Sequence, residues 1–86
     1  MSAFEVHLEI DVSGYHCPIP LLRTKKALSG MAEGQVLRVV STDPGSEIDF
    51  RVYTEKAGHA LLAFEEREGA YVFVIRKSVP PRLRGV

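Results

Sequence analysis

The stretch "FEVHLEIDVSGYHCPIPLLRTKKALSGM", residues 4 to 31, changes its apolar period partway along, and that change decides the fold. From Phe4 the apolar residues take every second position, Phe4, Val6, Leu8, Ile10 and Val12, with Glu5, His7, Glu9 and Asp11 between them. Alternate side chains of an extended chain point to opposite faces, so this pattern predicts a half-buried strand. After "SGYHC" the spacing becomes helical: Leu21, Thr24, Leu28 and Met31 form a stripe, with Arg23, Lys25, Lys26 and Ser29 off it. Such a stripe predicts an amphipathic helix that ends between Gly30 and Gly34.

Working outward, "QVLRVVST" predicts a second strand closed by "DPG", where Asp43 or Ser46 suits a helix cap and Pro44 a first helical position. A second helix is expected over residues 45 to 57. Phe50, Tyr53 and Ala57 share one of its faces, Ile48 and Val52 point elsewhere, and Gly58 suits its C-terminal cap. "HALLAFEEREGAYVFVIRK" predicts a hairpin of two strands around a turn at Glu68 and Gly69. The order β-α-β-α-β-β is that of an α/β (α+β) two-layer sandwich, with both helices packed on one face of a mixed four-stranded sheet. Its other sheet face must meet water or a partner. One domain over residues 1–79 is expected, followed by a loose tail, residues 80–86, that carries two of the basic residues Arg76, Lys77, Arg82 and Arg84. Those four are candidates for steering docking onto an acidic partner, although a solvated tail is the commoner explanation.

The chain has 86 residues, a size at which folding buries roughly 60 to 65% of the unfolded chain's surface. Apolar and charged fractions of 45% and 26% are ordinary for a globular protein, and 11 basic residues balance 11 acidic ones. A balanced charge does not hold a phosphate backbone, so no direct nucleic acid partner is expected. No apolar run approaches a membrane span, and "MSAFEVHLEI" lacks the apolar core of a signal peptide. With one cysteine, Cys17, an internal disulfide is impossible, and the expected location is the cytoplasm, where a free thiol survives.

Pro18 cannot donate a backbone hydrogen bond and its fixed φ fits a first helical residue, which would set Cys17 at the N-cap, facing the positive end of the helix dipole. A sulfur anion there gains about 0.3 to 1 kcal/mol, which lowers the thiol pKa. Pro20 removes another amide from the helix mouth, leaving Ile19 as the donor to a capping group. His16, Lys25 and Lys26 are the candidates for raising the local positive potential further. Cys17 has no resolving cysteine for dithiol chemistry. His7 and His59 fall where a surface or packing role explains them, leaving no dedicated base. One cysteine and three scattered histidines lack zinc-ligand spacing, so neither metal nor cofactor is expected. A lone, exposed thiol on a rigid turn suits carrying a group between other proteins, against the bland reading of a buried, inert cysteine.

The run Asp11, Gly14, Cys17, Pro18, Pro20 resembles the D-x-x-G-x-x-C-P-x-P signature of the TusA family of sulfur carriers, also called SirA-like. The likeness continues through "LLRTKKAL", through "TDPGSEIDF" at Asp43, Pro44, Ser46 and Asp49, and through "GHAL" at Gly58 to Leu61. It extends to about Lys77. The resemblance implies a two-layer α/β sandwich and a persulfide on Cys17, shaped by Pro18 and Pro20 with Gly14 as a flexible approach. It implies loading by a cysteine desulfurase or a rhodanese-type donor and delivery to an acceptor protein. Destinations in the family include tRNA thiolation, molybdenum cofactor enzymes and sulfur oxidation through DsrE-like partners. Two positions depart from the pattern. Val12-Ser13 replaces a pair that usually carries a basic residue, which bears on partner choice, and Phe50-Arg51 replaces an apolar-proline pair, which lets the second helix run straighter.

Two readings from other classes compete. A non-catalytic interaction module would use the open sheet face and bind its partner with Cys17 replaced. A small thiol enzyme would turn over a metabolite without donor or acceptor proteins, and has no obvious base with which to do it.

Overall fold

A computed structural model of the chain describes residues 5–78. Phe4 at the start of the expected first strand, residue 79 of the expected domain and the expected tail over residues 80–86 lie outside the described residues. The elements are β1 (Leu8–Asp11), α1 (Ile19–Ser29), β2 (Val36–Ser41), α2 (Ser46–Ala57), β3 (Ala60–Arg67) and β4 (Ala70–Arg76). They form a four-stranded sheet in the order β1-β2-β4-β3. β1 pairs parallel to β2, with Ile10 opposite Val39, and β4 runs antiparallel between β2 and β3. Two helices pack on this mixed sheet, as the period changes predict. Both crossovers, β1-α1-β2 and β2-α2-β3, advance in the same direction across the sheet, so one handedness lays both helices on one face.

The core lies between the layers. Leu28 of α1 and Phe50 of α2 are buried against Val12, Leu37, Val39, Phe73 and Ile75. The Phe50 and Phe73 rings sit 4.3 Å apart, and Phe64 adds a third ring 5.2 Å from Phe73. The helical stripes fall as the spacing requires: Leu21, Met31 and Tyr53 pack at the rim of the core, while Ile48 and Val52 face outward at 71% and 45% exposure. The α1 and α2 hydroxyls that enter the core turn back on their own helices: Thr24 Oγ1 donates to the Pro20 carbonyl at 2.9 Å and Thr54 Oγ1 to that of Phe50 at 2.8 Å. At the start of α2, Ser41 and Ser46 share a buried hydroxyl hydrogen bond of 2.7 Å.

β1 is shorter than its alternation suggests. It is an edge strand, and only its C-terminal half reaches the core: Ile10 packs against it and Val12 is buried, while Leu8 is 41% exposed. His7 precedes β1 and joins the sheet twice, its N–H donating to the Val36 carbonyl at 2.8 Å and its Nδ1 accepting the Val36 N–H at 3.0 Å. The β3–β4 turn is Glu68 and Gly69, both at positive φ, 52° and 82°. Successive left-handed residues match the twist of a two-residue hairpin, which is why a glycine stands there. The expected caps of α2 need correcting. Gly45, not Asp43 or Ser46, is the N-cap residue, and Pro44 lies before the helix. Ser46 is the first helical residue and spends its hydroxyl on Ser41, while Gly58 closes the C-terminus at φ 83° as expected.

On the other face of the sheet Val40 and Val72 are half-buried, and Val36 and Val74 are buried by their neighbours at 7% exposure each. The Glu9–Arg38 ion pair lies beside them. Lys77 is no free steering charge, because its Nζ donates to the Leu28 carbonyl and its backbone N–H to that of Gln35. Among the described residues no helix is long and apolar enough to cross a membrane.

Candidate thiol site

β1 and β2 are parallel neighbours, so their C-terminal ends lie side by side and the loops that leave them toward α1 and α2 meet. In open α/β sheets this carboxyl edge is the usual place for a site. Cys17 stands on the first of these loops and is exposed. Thr42 and Asp43, on the second, reach across to hold it. Gly14 N–H donates to Thr42 Oγ1 at 2.8 Å, and Cys17 N–H donates to Asp43 Oδ2 at 3.0 Å. The other Asp43 oxygen, Oδ1, accepts the Gly45 N–H at 3.2 Å, so one carboxylate ties the thiol loop to the mouth of α2. The Arg23 guanidinium lies over the Tyr15 ring at 4.6 Å and adds a third fastening from α1.

Gly14 has φ 85°, in a turn closed by the Tyr15 N–H on the Val12 carbonyl. It is therefore a fixed left-handed turn residue, in place of the flexible approach expected of it. Asp11 begins that turn, its Oδ1 accepting the Ser13 N–H at 2.9 Å, and the Ser13 side chain first and this backbone hydrogen bond second hold its carboxyl below the usual carboxylate range. His16 is exposed and enters the site through its backbone, whose carbonyl accepts the Ile19 N–H at 2.9 Å. That bond claims the one amide that the sequence left for a cap. Pro20 is buried in the first turn of α1, and α1 runs from Ile19 with Pro18 as its N-cap residue. Cys17 is thus one position further out than the N-cap expected of it, and the Cys17–Pro18 peptide is cis.

The electrostatics are the reverse of those expected. The Cys17 thiol is raised above its ordinary value, first by the polar influence of the Asp49 carboxylate, then by slight desolvation and by the charges of Asp49 and Asp43, which both oppose a thiolate. Neither Lys25 nor Lys26 acts on it. The N-terminal dipole of α1 favours a thiolate, and the carboxylates of Asp49 and Asp43 oppose it. At rest the sulfur is a protonated, solvent-facing thiol in a fixed position.

The structure brings Cys17, Pro18, Pro20, Gly14, His16 and Asp11 onto one loop and helix mouth. It adds Thr42, Asp43 and Asp49, of which Asp43 and Asp49 were part of the resemblance without a role. The signal for them is topological, since a β-α-β unit brings two strand ends together whatever their distance in sequence. His59 is elsewhere, its Nδ1 accepting the Ser78 N–H at 3.0 Å and its ring 5.7 Å from that of Tyr53. Among the described residues no group of three or more His, Cys, Asp and Glu side chains gathers as a metal site would.

Comparison with known proteins agrees with this geometry. The family model described as sulfurtransferase TusA matches residues 8–77. The sulfur carrier protein TusA of Allochromatium vinosum is 47% identical over 70 residues, 81% of this chain and 92% of that one. The TusA of Pseudomonas entomophila is 37% identical over 68 residues, 79% of this chain and 85% of that one. The crystal structure of a SirA-like protein from Desulfitobacterium hafniense superposes with a TM-score of 0.74 at 30% identity, covering 83% of this chain and 97% of its own. With its lone thiol held at the carboxyl edge of a mixed sheet, the chain belongs to the TusA family of sulfur carrier proteins.

Proposed function

We propose that the protein accepts sulfane sulfur as a persulfide on Cys17 and hands it to an acceptor protein. The observation that carries this reading is an exposed thiol, the only one in the chain, whose backbone is fastened by Asp43 and whose loop is fastened by Thr42. A donor must reach the sulfur and find it in a constant place, and both conditions are met here.

The exchange balances without an oxidant. The Cys17 thiolate attacks the outer sulfur of a donor persulfide, the donor S–S bond breaks as the Cys17 S–S bond forms, and the donor leaves as a thiolate. The thiol proton is lost to solvent before the attack, and the departing donor thiolate takes one up, so protons and charge balance. A second exchange of the same kind, with an acceptor thiolate attacking the terminal sulfur, regenerates Cys17. Pro18 and Pro20 shape the helix mouth, Gly14 and Asp11 form the turn before it, and His16 closes the first turn of α1. A cysteine desulfurase or a rhodanese-type protein is the donor. The acceptor belongs to tRNA thiolation, to molybdenum cofactor supply or to a sulfur-oxidation relay with a DsrE-like protein, all in the cytoplasm.

The test is intact mass by electrospray after incubation with cysteine, pyridoxal phosphate and a cysteine desulfurase, and in parallel with thiosulfate and a rhodanese. A gain of one sulfur atom that is lost in Cys17→Ser supports the reading. Sulfur still accepted by Cys17→Ser, or no gain from either donor with the thiol free to alkylate, removes it.

A further inference from the structure

A groove of about 480 Å³ runs between α1 and α2, with Leu21 and Lys25 on one wall and Asp49, Val52, Tyr53 and Lys56 on the other. Its floor is apolar and aromatic, and Lys25 and Lys56 stand exposed at its rim, with the Lys25 ammonium 5.2 Å from the centre of the Tyr53 ring. One end points toward the thiol, because Asp49 lines the groove and its carboxylate acts on Cys17. We infer that this groove seats an acidic, apolar-bearing extended segment of the protein with which Cys17 exchanges sulfur, and that Lys25 and Lys56 select it by charge. The inference deepens the carrier reading and rests on it for the word exchange, though the groove itself does not depend on the chemistry.

The charges order the occupant. Asp49 and Lys56 are seven residues apart on α2, about 10 Å along the axis at 1.5 Å per residue, which about three extended residues span. Carboxylates on the segment meet Lys25 and Lys56, its apolar side chains lie over Val52 and Tyr53, and its uncharged end faces Asp49, where a further carboxylate would be repelled. A segment seated in this direction delivers its neighbouring reactive sulfur to Cys17. Val52 at 45% exposure is part of the same surface and is left open by the fold. A basic segment would meet two ammonium groups at the rim and is excluded by the same argument.

The probe is the capped peptide acetyl-Glu-Leu-Glu-Leu-Gly-amide, titrated into the full ¹⁵N-labelled chain and followed by amide shifts. Saturable shifts at Lys25, Val52, Tyr53 and Lys56 are expected, weakened about tenfold by the paired substitutions Lys25→Glu and Lys56→Glu and severalfold by the neutral pair Lys25→Gln and Lys56→Gln. The same peptide with lysine in place of glutamate should not bind. All four substitutions are at exposed positions, and the dispersion of the spectrum reports whether the fold is kept. Shifts that spread over other surfaces, equal shifts with the lysine peptide, or binding unchanged in the paired variants would overturn the groove. Sulfur loading measured on the same samples separates the two readings. Loading with the peptide seated elsewhere sinks the groove alone, and a seated peptide with no loading from either donor sinks the carrier chemistry alone.

Discussion

Replacing Asp43 tests the structural and the electrostatic account of the thiol together, because one carboxylate serves both. Its Oδ2 accepts the Cys17 N–H and its Oδ1 the Gly45 N–H, at 3.0 and 3.2 Å. A net intramolecular hydrogen bond is worth about 0.5 to 1.5 kcal/mol, and these two lie where water can re-solvate the freed amides, so Asp43→Ala should cost about 2 kcal/mol in all. For a domain of this size each kcal/mol moves the midpoint by about 4 to 8 °C, which gives a fall in Tm of about 8 to 16 °C. Asp43→Asn keeps one acceptor oxygen and should lose about half as much. The thiol should respond in the opposite sense. A carboxylate that opposes the thiolate is gone in both variants, so the Cys17 pKa falls, the thiolate fraction at neutral pH rises and alkylation quickens. Thermal melts and iodoacetamide rates, taken across pH values on either side of the free cysteine value of about 8.5, measure both quantities on the same samples. A variant that melts with the wild type refutes the fastening of the loop. Alkylation that slows or stays the same at neutral pH refutes the charge account. Asp49→Asn is the companion, expected to quicken alkylation while leaving both loop hydrogen bonds in place.

Phe50→Ala should cost about 3 to 5 kcal/mol, since Phe50 is 1% exposed and its ring packs tilted on that of Phe73 at 4.3 Å, and a urea midpoint near that of the wild type would show that the core had closed the cavity. Gly14→Ala places a side chain at φ 85° with no atom within 4 Å to clash with, so the cost is conformational alone, about 1 kcal/mol, read as a melting shift of a few degrees. His59 is half-buried, its pKa lowered by desolvation and by the charge of Lys77 and partly restored by the Ser78 hydrogen bond. A lowered histidine stabilises the fold fully above its unfolded value of about 6.5, and that stability is lost as pH falls through the lower folded value. The difference between wild-type and His59→Gln melts should therefore be constant above neutrality and shrink on acidification, and a constant difference down to pH 5, to about that value on the histidine scale, would exclude His59 as the cause.

The elements were legible because each face of the core is written by period. Leu21, Thr24, Leu28 and Met31 declare one side of α1, and the β-rich run "VLRVVS" lays Leu37 and Val39 against it. The turn at Glu68 and Gly69 was legible for the same local reason, since two left-handed residues need a glycine. Where local reasoning erred, a distant neighbour had decided. The alternation from Phe4 promised a longer inward face than an edge strand can bury, and Leu8 stays outside. Pro18 reads as a first helical residue by its ring alone, but α1 begins one residue later, so Cys17 lies beyond the N-cap. The direction of the thiol shift was misread for a deeper reason. A helix mouth examined alone contains only its own dipole and nearby charges, whereas Asp43 and Asp49 arrive from the second β-α connection, brought there by the parallel pairing of β1 with β2.

That pairing also explains how one small surface sets acidic groups at the sulfur and a basic rim further off. The groups that act on the sulfur, Asp43 and Asp49, come from the first turn of α2 and the loop before it, while Lys56 stands in the last turn of the same helix. Lys56 is set about 10 Å along the axis from Asp49 and is not among the groups that shift the Cys17 thiol. Alterations at Lys56 therefore change which segment the groove accepts and leave the acidity of Cys17 alone, and alterations at Asp43 do the converse. A thiol that is exposed to every solute is best kept protonated until a partner is seated beside it. A carboxylate pair at the sulfur with a basic rim further along the groove has that arrangement built into α2 and the loop before it, with Lys25 added from α1.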